Sequence, residues 1–82
     1  MKIRDNVLVA HLEGEAVLLD LTTKQYYQLN ATAARIWQGL EQGLEPPRIV
    51  QTLTEEFTVD AATAQAEMDR VLADLHGRGL LV

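Results

Sequence analysis

Few side chains in this sequence have the types and spacing that enzyme chemistry requires. A nucleophile needs a base within hydrogen-bond reach and a third group that orients this base. The two histidines, His11 and His76, fall in different predicted elements, and the sequence contains no cysteine. Hydroxyl groups come mostly from threonines at positions typical of turns, helix caps and solvated faces, namely Thr22, Thr23, Thr32, Thr52, Thr54, Thr58 and Thr63. We therefore predict that the protein is not an enzyme.

The carboxylates and glycines also lack the patterns of a catalytic or ligand site. Glu55 and Glu56 are adjacent, so their side chains diverge on a helix, and a solvated helix face explains them better. The five glycines occur singly and form no phosphate-binding loop. Gly39 lies inside a predicted helix, where glycine costs about 1 kcal/mol relative to alanine, and we expect it to allow close approach of a neighbouring helix. We predict neither a cofactor nor a metal ion.

Length, charge and hydropathy exclude several further classes of protein. The 82 residues suffice for one domain, which we place at 1–82. A net charge of −5 is unsuited to a phosphate backbone, so we expect no nucleic-acid partner, although Arg70 and Arg78 leave open a local basic patch. The longest apolar run, 16–19, is far shorter than the about 20 residues of a membrane span, and no signal-peptide segment is evident. The sequence predicts a cytoplasmic protein that makes no membrane contact.

The first third of the chain has the two-residue periodicity of β-strands. Predicted strands cover 7–12, 16–21 and 25–29, joined by short turns. Short strands joined in this way form an antiparallel meander. In the second strand, alternation places Val17, Leu19 and Leu21 on one face, and Leu18 and Asp20 on the other.

The periodicity changes to that of helices at Asn30, a favoured N-cap residue. The first helix ends near Gly43, the second begins at Pro46, and the third runs from the N-cap Asp60 to about His76. The predicted fold class is α+β, with a three-stranded antiparallel sheet followed by three helices (β-β-β-α-α-α). The second and third helices look like a helix-turn-helix with the strands in place of a wing, so the arrangement is winged helix-turn-helix-like.

The third predicted strand is the candidate for function, because a meander leaves it at the edge of the sheet. Alternation places Tyr27 and Leu29 on one face and Tyr26 and Gln28 on the other. The strand contains neither charge nor proline, which are the usual protections of an edge. A helix or the tail at 80–82 is one possible cover for this edge. The alternative is that an extended peptide adds to it as a fourth strand, with the third helix as the other wall of a pocket.

Two stretches of the sequence resemble a known family. They are Ala16-Val17-Leu18-Leu19-Asp20 and Tyr26-Tyr27-Gln28-Leu29-Asn30-Ala31-Thr32-Ala33-Ala34-Arg35-Ile36-Trp37. The most specific piece is the aromatic-x-Leu-Asn-x-Thr-Ala junction between the third strand and the first helix. On these residues the chain resembles the PqqD-like proteins, also called RiPP precursor recognition elements, over essentially its whole length.

The resemblance implies a function and partners. Such domains bind the leader segment of a ribosomally synthesised precursor peptide, which pairs with the third strand against the third helix. The chain looks most like the stand-alone leader-binding proteins of lasso-peptide pathways. Their partners are a separate cysteine leader peptidase and a macrocyclase resembling asparagine synthetase. Members that act in pyrroloquinoline-quinone synthesis usually have a Pro-Glu pair before the third strand, where this chain has Thr23-Lys24-Gln25.

The resemblance also implies which residues would bind the leader peptide. In the third strand and the turn before it, they are Lys24, Gln25, Tyr26, Tyr27, Gln28 and Leu29. In and after the third helix, they are Glu67, Met68, Arg70, Val71, Asp74, Leu75 and Arg78. Ordinary core packing is an equally good explanation for Tyr27, Leu29, Met68 and Leu75. Arg70 and Asp74 lie off the apolar stripe and are the better candidates for contacts with leader side chains.

Two other functions remain as alternatives. A DNA-binding winged-helix regulator would explain the fold, but it fits neither the acidic charge nor the carboxylates at Glu67, Asp69 and Asp74 of the would-be recognition helix. A peptide chaperone in quinone-cofactor synthesis would share the family but not the residues before the third strand.

Overall fold

Three strands and then three helices follow one another along the chain. The structure, a computed structural model, describes residues 2–82. The strands are β1 (Val7–Leu12), β2 (Glu15–Asp20) and β3 (Tyr26–Leu29), and the helices are α1 (Ala31–Glu41), α2 (Pro46–Glu56) and α3 (Ala61–Gly77). This order confirms the predicted α+β fold. The likeness to a winged helix-turn-helix is loose, since the whole sheet precedes the helices.

The sheet is an antiparallel meander in the order β1-β2-β3. The prediction that β3 lies at an edge is therefore confirmed. β3 begins one residue later than predicted because Lys24 takes a positive φ of 67° and donates its N–H to the Asp20 carbonyl at 2.8 Å. This hydrogen bond extends the turn that leads into β3.

The face of β2 that enters the core is the one with Leu18 and Asp20. Leu18 and Asp20 are fully buried, and Val17 and Leu19 on the opposite face remain partly exposed. The more apolar face of this strand thus points away from the helices. Helix α1 packs against β2 and β3 on the buried face, together with α3 and the tail. Residue hydropathy alone does not reveal this choice, because it would favour the other face.

Helices α1 and α3 begin at the predicted caps. The Asn30 side chain accepts the Ala33 N–H at 2.9 Å, and the Asp60 side chain accepts the Thr63 N–H at 2.8 Å. Among residues 2–82, no helix is both long and apolar enough to cross a bilayer.

Gly39 brings α1 close to α2, as the sequence predicted. A Cβ atom at this position would lie 2.8 Å from Cγ1 of Ile49, which is itself buried. Only glycine fits this crossing without a shift of the Ile49 side chain.

The C-terminal residues pair with the N-terminal segment. Leu81 forms an antiparallel bridge with Ile3, and the N–H of Val82 donates to the carbonyl of Lys2 at 2.8 Å. The tail therefore does not cover the edge of β3, which was one of the two possibilities open from the sequence.

Candidate functional site

The hydrogen-bond pattern of β3 shows which of its backbone groups face the open edge. The Asp20 N–H donates to the Gln25 carbonyl at 2.8 Å, so these two opposed residues form a hydrogen-bonded pair. Pairs alternate along an antiparallel ladder, which makes Tyr27 the next residue that bonds to β2. The N–H and C=O groups of Tyr26 and Gln28 therefore point away from β2.

These outward groups have no backbone partner within the described part of the chain. No hydrogen bond outside the β2 ladder joins Tyr26–Leu29 to another backbone segment of residues 2–82. Unpaired edges of this kind are templates for the addition of another strand.

Helix α3 makes no close backbone contact with β3. No Cα atom of β3 comes within 8 Å of a Cα atom of α3. An added strand would lie about 4.8 Å from β3 in the hydrogen-bonding direction. We call the space between Tyr26–Leu29 and Glu67–Arg78 the β3–α3 cleft.

One end of the β3–α3 cleft is lined by an aromatic and cationic contact. The Arg78 guanidinium carbon lies 4.6 Å from the centroid of the Tyr27 ring. The Tyr27 hydroxyl donates to Gln25 Oε1 at 2.9 Å, and Arg78 Nε donates to Asp74 Oδ1 at 2.9 Å. Four of the predicted site residues, from both sides of the cleft, thus form one connected chain. A cation–π contact of this kind contributes about 0.5–1 kcal/mol at an exposed position.

The other end of the cleft opens into a cavity of about 260 Å³ between the end of β3 and the start of α3. Its apolar wall consists of Leu53, Val59 and Ala64. Its polar rim consists of Asn30, Thr32, Thr63 and Glu67. The sequence analysis missed this cavity except for Glu67. The one local feature of the sequence that pointed to this cavity was an apolar residue, Val59, directly before the Asp60 cap.

Because Arg78 lies beside Tyr27 and Glu67 shares the cavity with Asn30, α3 runs antiparallel to β3. A peptide antiparallel to β3 would consequently run parallel to α3. It would pass from the cavity towards the Tyr27–Arg78 contact.

The charged residues along α3 form two ion pairs within the helix. Glu67 pairs with Arg70 at i, i+3 spacing, and Asp74 pairs with Arg78 at i, i+4 spacing. The hydrogen bond that Arg70 donates to Glu67, together with the charge of Glu67, raises the pKa of Arg70 further above its ordinary value. Each arginine has an acidic neighbour, so the basic patch left open by the sequence is neutralised. Exposed ion pairs of this kind stabilise a helix only weakly. Their side chains can therefore leave each other to contact a bound peptide at little cost.

Several predicted site residues belong to the core. Met68, Val71, Leu75 and Leu29 are all buried. For Leu29, Met68 and Leu75, core packing was the alternative explanation, and the structure shows this packing. Lys24 and Gln25 lie in the exposed turn before β3. Direct contact of any of these residues with a peptide stays a prediction.

A buried carboxylate supports the turn from which β3 starts. Asp20 has no exposed surface and accepts the N–H of Thr22 at 2.9 Å and that of Thr23 at 3.3 Å. Arg4 forms an ion pair with it. The Arg4 hydrogen bond, with smaller contributions from the two N–H donors, outweighs burial and lowers the pKa of Asp20. The carboxylate is therefore charged at neutral pH.

The face of the sheet opposite the helices is exposed and largely apolar. The register places Leu8, Leu19 and Tyr26 in one row across the three strands. Leu8 is 56% exposed, Leu12 59% and Tyr26 73%. We call this surface, with Ala10 and Val17, the outer sheet face. Monomeric proteins rarely expose a continuous apolar surface of this kind without a partner.

The described residues, 2–82, contain no group of three or more His, Cys, Asp or Glu side chains placed to hold a metal ion.

Comparisons with known proteins find two similar solved structures and a matching family. One solved structure, TbiB1 in complex with the TbiA(beta) leader peptide, is 41% identical with a TM-score of 0.91, and the match covers 99% of this chain and 94% of that one. A second, lasso peptide synthetase B1 complexed with the leader peptide, is 33% identical with a TM-score of 0.88, covering 99% and 95%. No curated protein matches the chain. Residues 15–81 match the family described as Coenzyme PQQ synthesis protein D (PqqD). Because this match spans most of its length, the chain belongs to the PqqD family.

Proposed function

We propose that this protein binds the leader segment of a ribosomally synthesised precursor peptide in lasso-peptide biosynthesis and catalyses no reaction itself. The observation that carries the proposal is the free edge of β3, with no Cα atom of α3 within 8 Å of the strand. The two similar structures, both of which contain a leader peptide, support it.

Binding would extend the sheet by one strand. Tyr26 and Gln28 each offer one N–H and one C=O to a peptide antiparallel to β3. Each backbone hydrogen bond contributes only about 0.5–1.5 kcal/mol net, and any sequence can form it. Discrimination between peptides must therefore come from side chains.

Two parts of the cleft supply this discrimination. The cavity beside Asn30 and Glu67 takes an apolar side chain from the first part of the bound segment. The Tyr27–Arg78 contact meets the segment where it leaves the cleft. Arg70 and Asp74 lie between these ends and exchange their helix partners for leader side chains.

The bound leader must then be passed to enzymes that process it. A separate cysteine leader peptidase and an asparagine-synthetase-like macrocyclase are the partners in this proposal. The peptidase has to reach the peptide where it leaves the sheet edge, and the outer sheet face adjoins that edge through Tyr26. We assign the outer sheet face to the peptidase, because a matching apolar surface would cover Leu8 and Leu12.

The two alternative functions are not favoured. A DNA-binding helix would need free basic side chains, whereas Arg70 on α3 and Arg78 directly after it are paired with carboxylates. A role in quinone-cofactor synthesis has less support, because the similar solved structures contain lasso-peptide synthetase and leader peptide.

The proposal is tested by titration with a fluorescein-labelled leader peptide from a precursor encoded beside this chain, with the TbiA(beta) leader as a second probe. We expect saturable binding with Kd below about 10 µM, equivalent to about −7 kcal/mol. A duplex DNA of mixed sequence serves as the control, and we expect no binding to it at physiological salt. Binding of DNA without binding of either leader would overturn the proposal.

A further inference from the structure

A buried ion pair lies behind the β3–α3 cleft, and leader binding as described above makes no use of it. The Asp20 carboxylate has no exposed surface and pairs with the guanidinium of Arg4, whose side chain is 27% exposed. Asp20 is the last residue of β2, so the pair is located at the turn from which β3 begins.

Arg4 joins this turn to the segment that follows α3. Its guanidinium donates to the hydroxyl oxygen of Thr22 at 3.2 Å and to the carbonyl of Gly79. Gly79 directly follows Arg78, whose guanidinium covers the Tyr27 ring. One arginine therefore connects the segments that carry the two sides of the cleft.

We propose that Arg4 and Asp20 are positioning residues for the peptide site, whose ion pair fixes Arg78 over Tyr27 and thereby sets the affinity for the peptide. Asp20 is buried and has no surface for the peptide, so it acts through the turn and through Arg4. The inference rests on the proposed function and extends the site to the N-terminal segment. The match to the PqqD family begins at residue 15, so Arg4 lies outside the matched residues.

The physical reason is that a buried charge without its partner is strongly unfavourable. When Arg4 is removed, the Asp20 carboxylate keeps only the N–H groups of the turn. Water must then take the place of the guanidinium beside the carboxylate, or the turn must move. The same substitution removes the hydrogen bond to the Gly79 carbonyl, one of the contacts that hold the segment beside Arg78.

Two variants test the inference: Arg4→Gln, which removes the cation, and Asp20→Asn, which keeps an acceptor for the Thr22 N–H but removes the charge. The first measurement is the NMR spectrum of the free protein. Protons of Arg78 that lie over the Tyr27 ring are shifted upfield by the ring current, and we expect both variants to lose this shift. The second is the affinity for the fluorescein-labelled TbiA(beta) leader, which we expect to fall about tenfold.

Arg35→Gln is the matched control. Arg35 donates to both carboxylate oxygens of Glu56, at 3.0 and 3.1 Å, and its side chain is 22% exposed. This pair joins α1 to the end of α2 and takes no part in the cleft. We expect Arg35→Gln to lose stability in urea without loss of the Arg78 shift and with affinity within about twofold of the wild type.

Either of two results would overturn the positioning role. One is that Arg4→Gln and Asp20→Asn keep both the shift and the affinity. The other is that Arg35→Gln loses as much affinity as they do for the same loss of stability. If the wild type bound neither leader, the proposed function would fail, and the Arg78 shift in the free protein would still decide whether the pair positions the cleft.

Discussion

At the scale of single residues, two neighbouring tyrosines point to opposite faces of the same strand. Tyr27 faces the cleft and supports Arg78, whereas Tyr26 is mostly exposed on the outer sheet face. Their backbone groups also differ, because those of Tyr26 point to the open edge and those of Tyr27 to β2. Substitution of each tyrosine in turn therefore distinguishes what side chains in the cleft contribute to leader binding from what side chains on the outer sheet face contribute.

Tyr27→Ala should weaken leader binding about fivefold, because it removes the aromatic surface under Arg78. Tyr26→Ala is the control and should stay within about twofold of the wild type, since it keeps the outward N–H and C=O. Fluorescence anisotropy with labelled leader measures both. Equal losses in the two variants would contradict the assignment of Tyr27 to the cleft.

Asp20 makes the stability of the protein depend on pH in the acid range. The pKa of Asp20 is lower in the folded protein, chiefly through its hydrogen bond from Arg4, so the ionised carboxylate stabilises the fold. This contribution is complete above the unfolded pKa of about 3.9 and is lost as the pH falls through the lower folded value. The pKa of Glu56 is also lowered, by the hydrogen bond from Arg35. The pKa of Asp60 is lowered by hydrogen bonds from the backbone N–H and the side chain of Thr63.

Asp20→Asn should therefore reduce the loss of stability between pH 5 and pH 2 without abolishing it. Urea unfolding at a series of pH values measures this slope. Glu55→Gln, which alters an exposed carboxylate on α2, is the control and should leave the slope as in the wild type. An unchanged slope in Asp20→Asn would show that the Arg4 pair does not stabilise the ionised form.

Residue-scale features were predictable from the sequence where they depend on near neighbours. The caps Asn30 and Asp60 act within three residues, and both were identified. The Arg4–Asp20 pair joins residues 16 positions apart, and Arg4 reaches Gly79 across 75 positions. No local pattern encodes such contacts. The one indication of the ion pair in the sequence is that Asp20 is a charged residue at the end of a mostly apolar strand.

At the scale of elements, the packing of α1 on α2 depends on a single glycine. The ideal Cβ position of Gly39 lies 2.8 Å from Cγ1 and 3.1 Å from Cδ1 of Ile49. Ile49 is buried and β-branched, so it has little freedom to move away.

Gly39→Ala should lower the free energy of unfolding by about 1 kcal/mol. Overpacking of a core costs about 1–3 kcal/mol, and the better helix propensity of alanine returns up to about 1 kcal/mol of this. Gly77→Ala is the control, because a Cβ there meets no atom within 4 Å, and it should be neutral or stabilising. A stabilised Gly39→Ala variant in urea unfolding would show that α2 yields easily at this crossing.

The order of elements followed from periodicity, whereas the orientation of β2 did not. Alternation correctly separated the two faces of β2 but did not say which one the helices cover. Helix α1 packs on the face with Ala16, Leu18 and Asp20, so Val17 and Leu19 stay partly exposed although their face is the more hydrophobic of the two. The cleft itself was predicted as a strand edge beside α3. Its apolar cavity depends on α2 and the α2–α3 connection and was not foreseen.

At the scale of the whole molecule, the proposal assigns separate surfaces to the peptide and to the peptidase. The peptide lies on the edge of β3, and the outer sheet face is perpendicular to that edge. A change at Leu8, on the far strand β1, is therefore expected to separate the two interactions.

Leu8→Lys should weaken the complex with the leader peptidase by about tenfold, because it places a charge in an apolar interface. Leader affinity should remain within about twofold of the wild type. Gln51→Lys makes the same charge change at an exposed position of α2 and is the control. Calorimetric titration of peptidase into the leader complex measures the effect. Unchanged peptidase affinity in Leu8→Lys would place the peptidase on another surface.

The central claim is that a leader peptide adds to the open edge of β3, and amide hydrogen exchange at single residues tests it directly. In the free protein, the amides of Tyr26 and Gln28 should exchange fast, whereas those of Tyr27 and Leu29 are already protected by β2. With saturating leader, the amides of Tyr26 and Gln28 should slow by about tenfold or more while the other two change little. Protection confined to α2 and α3, with Tyr26 and Gln28 unchanged, would contradict the account.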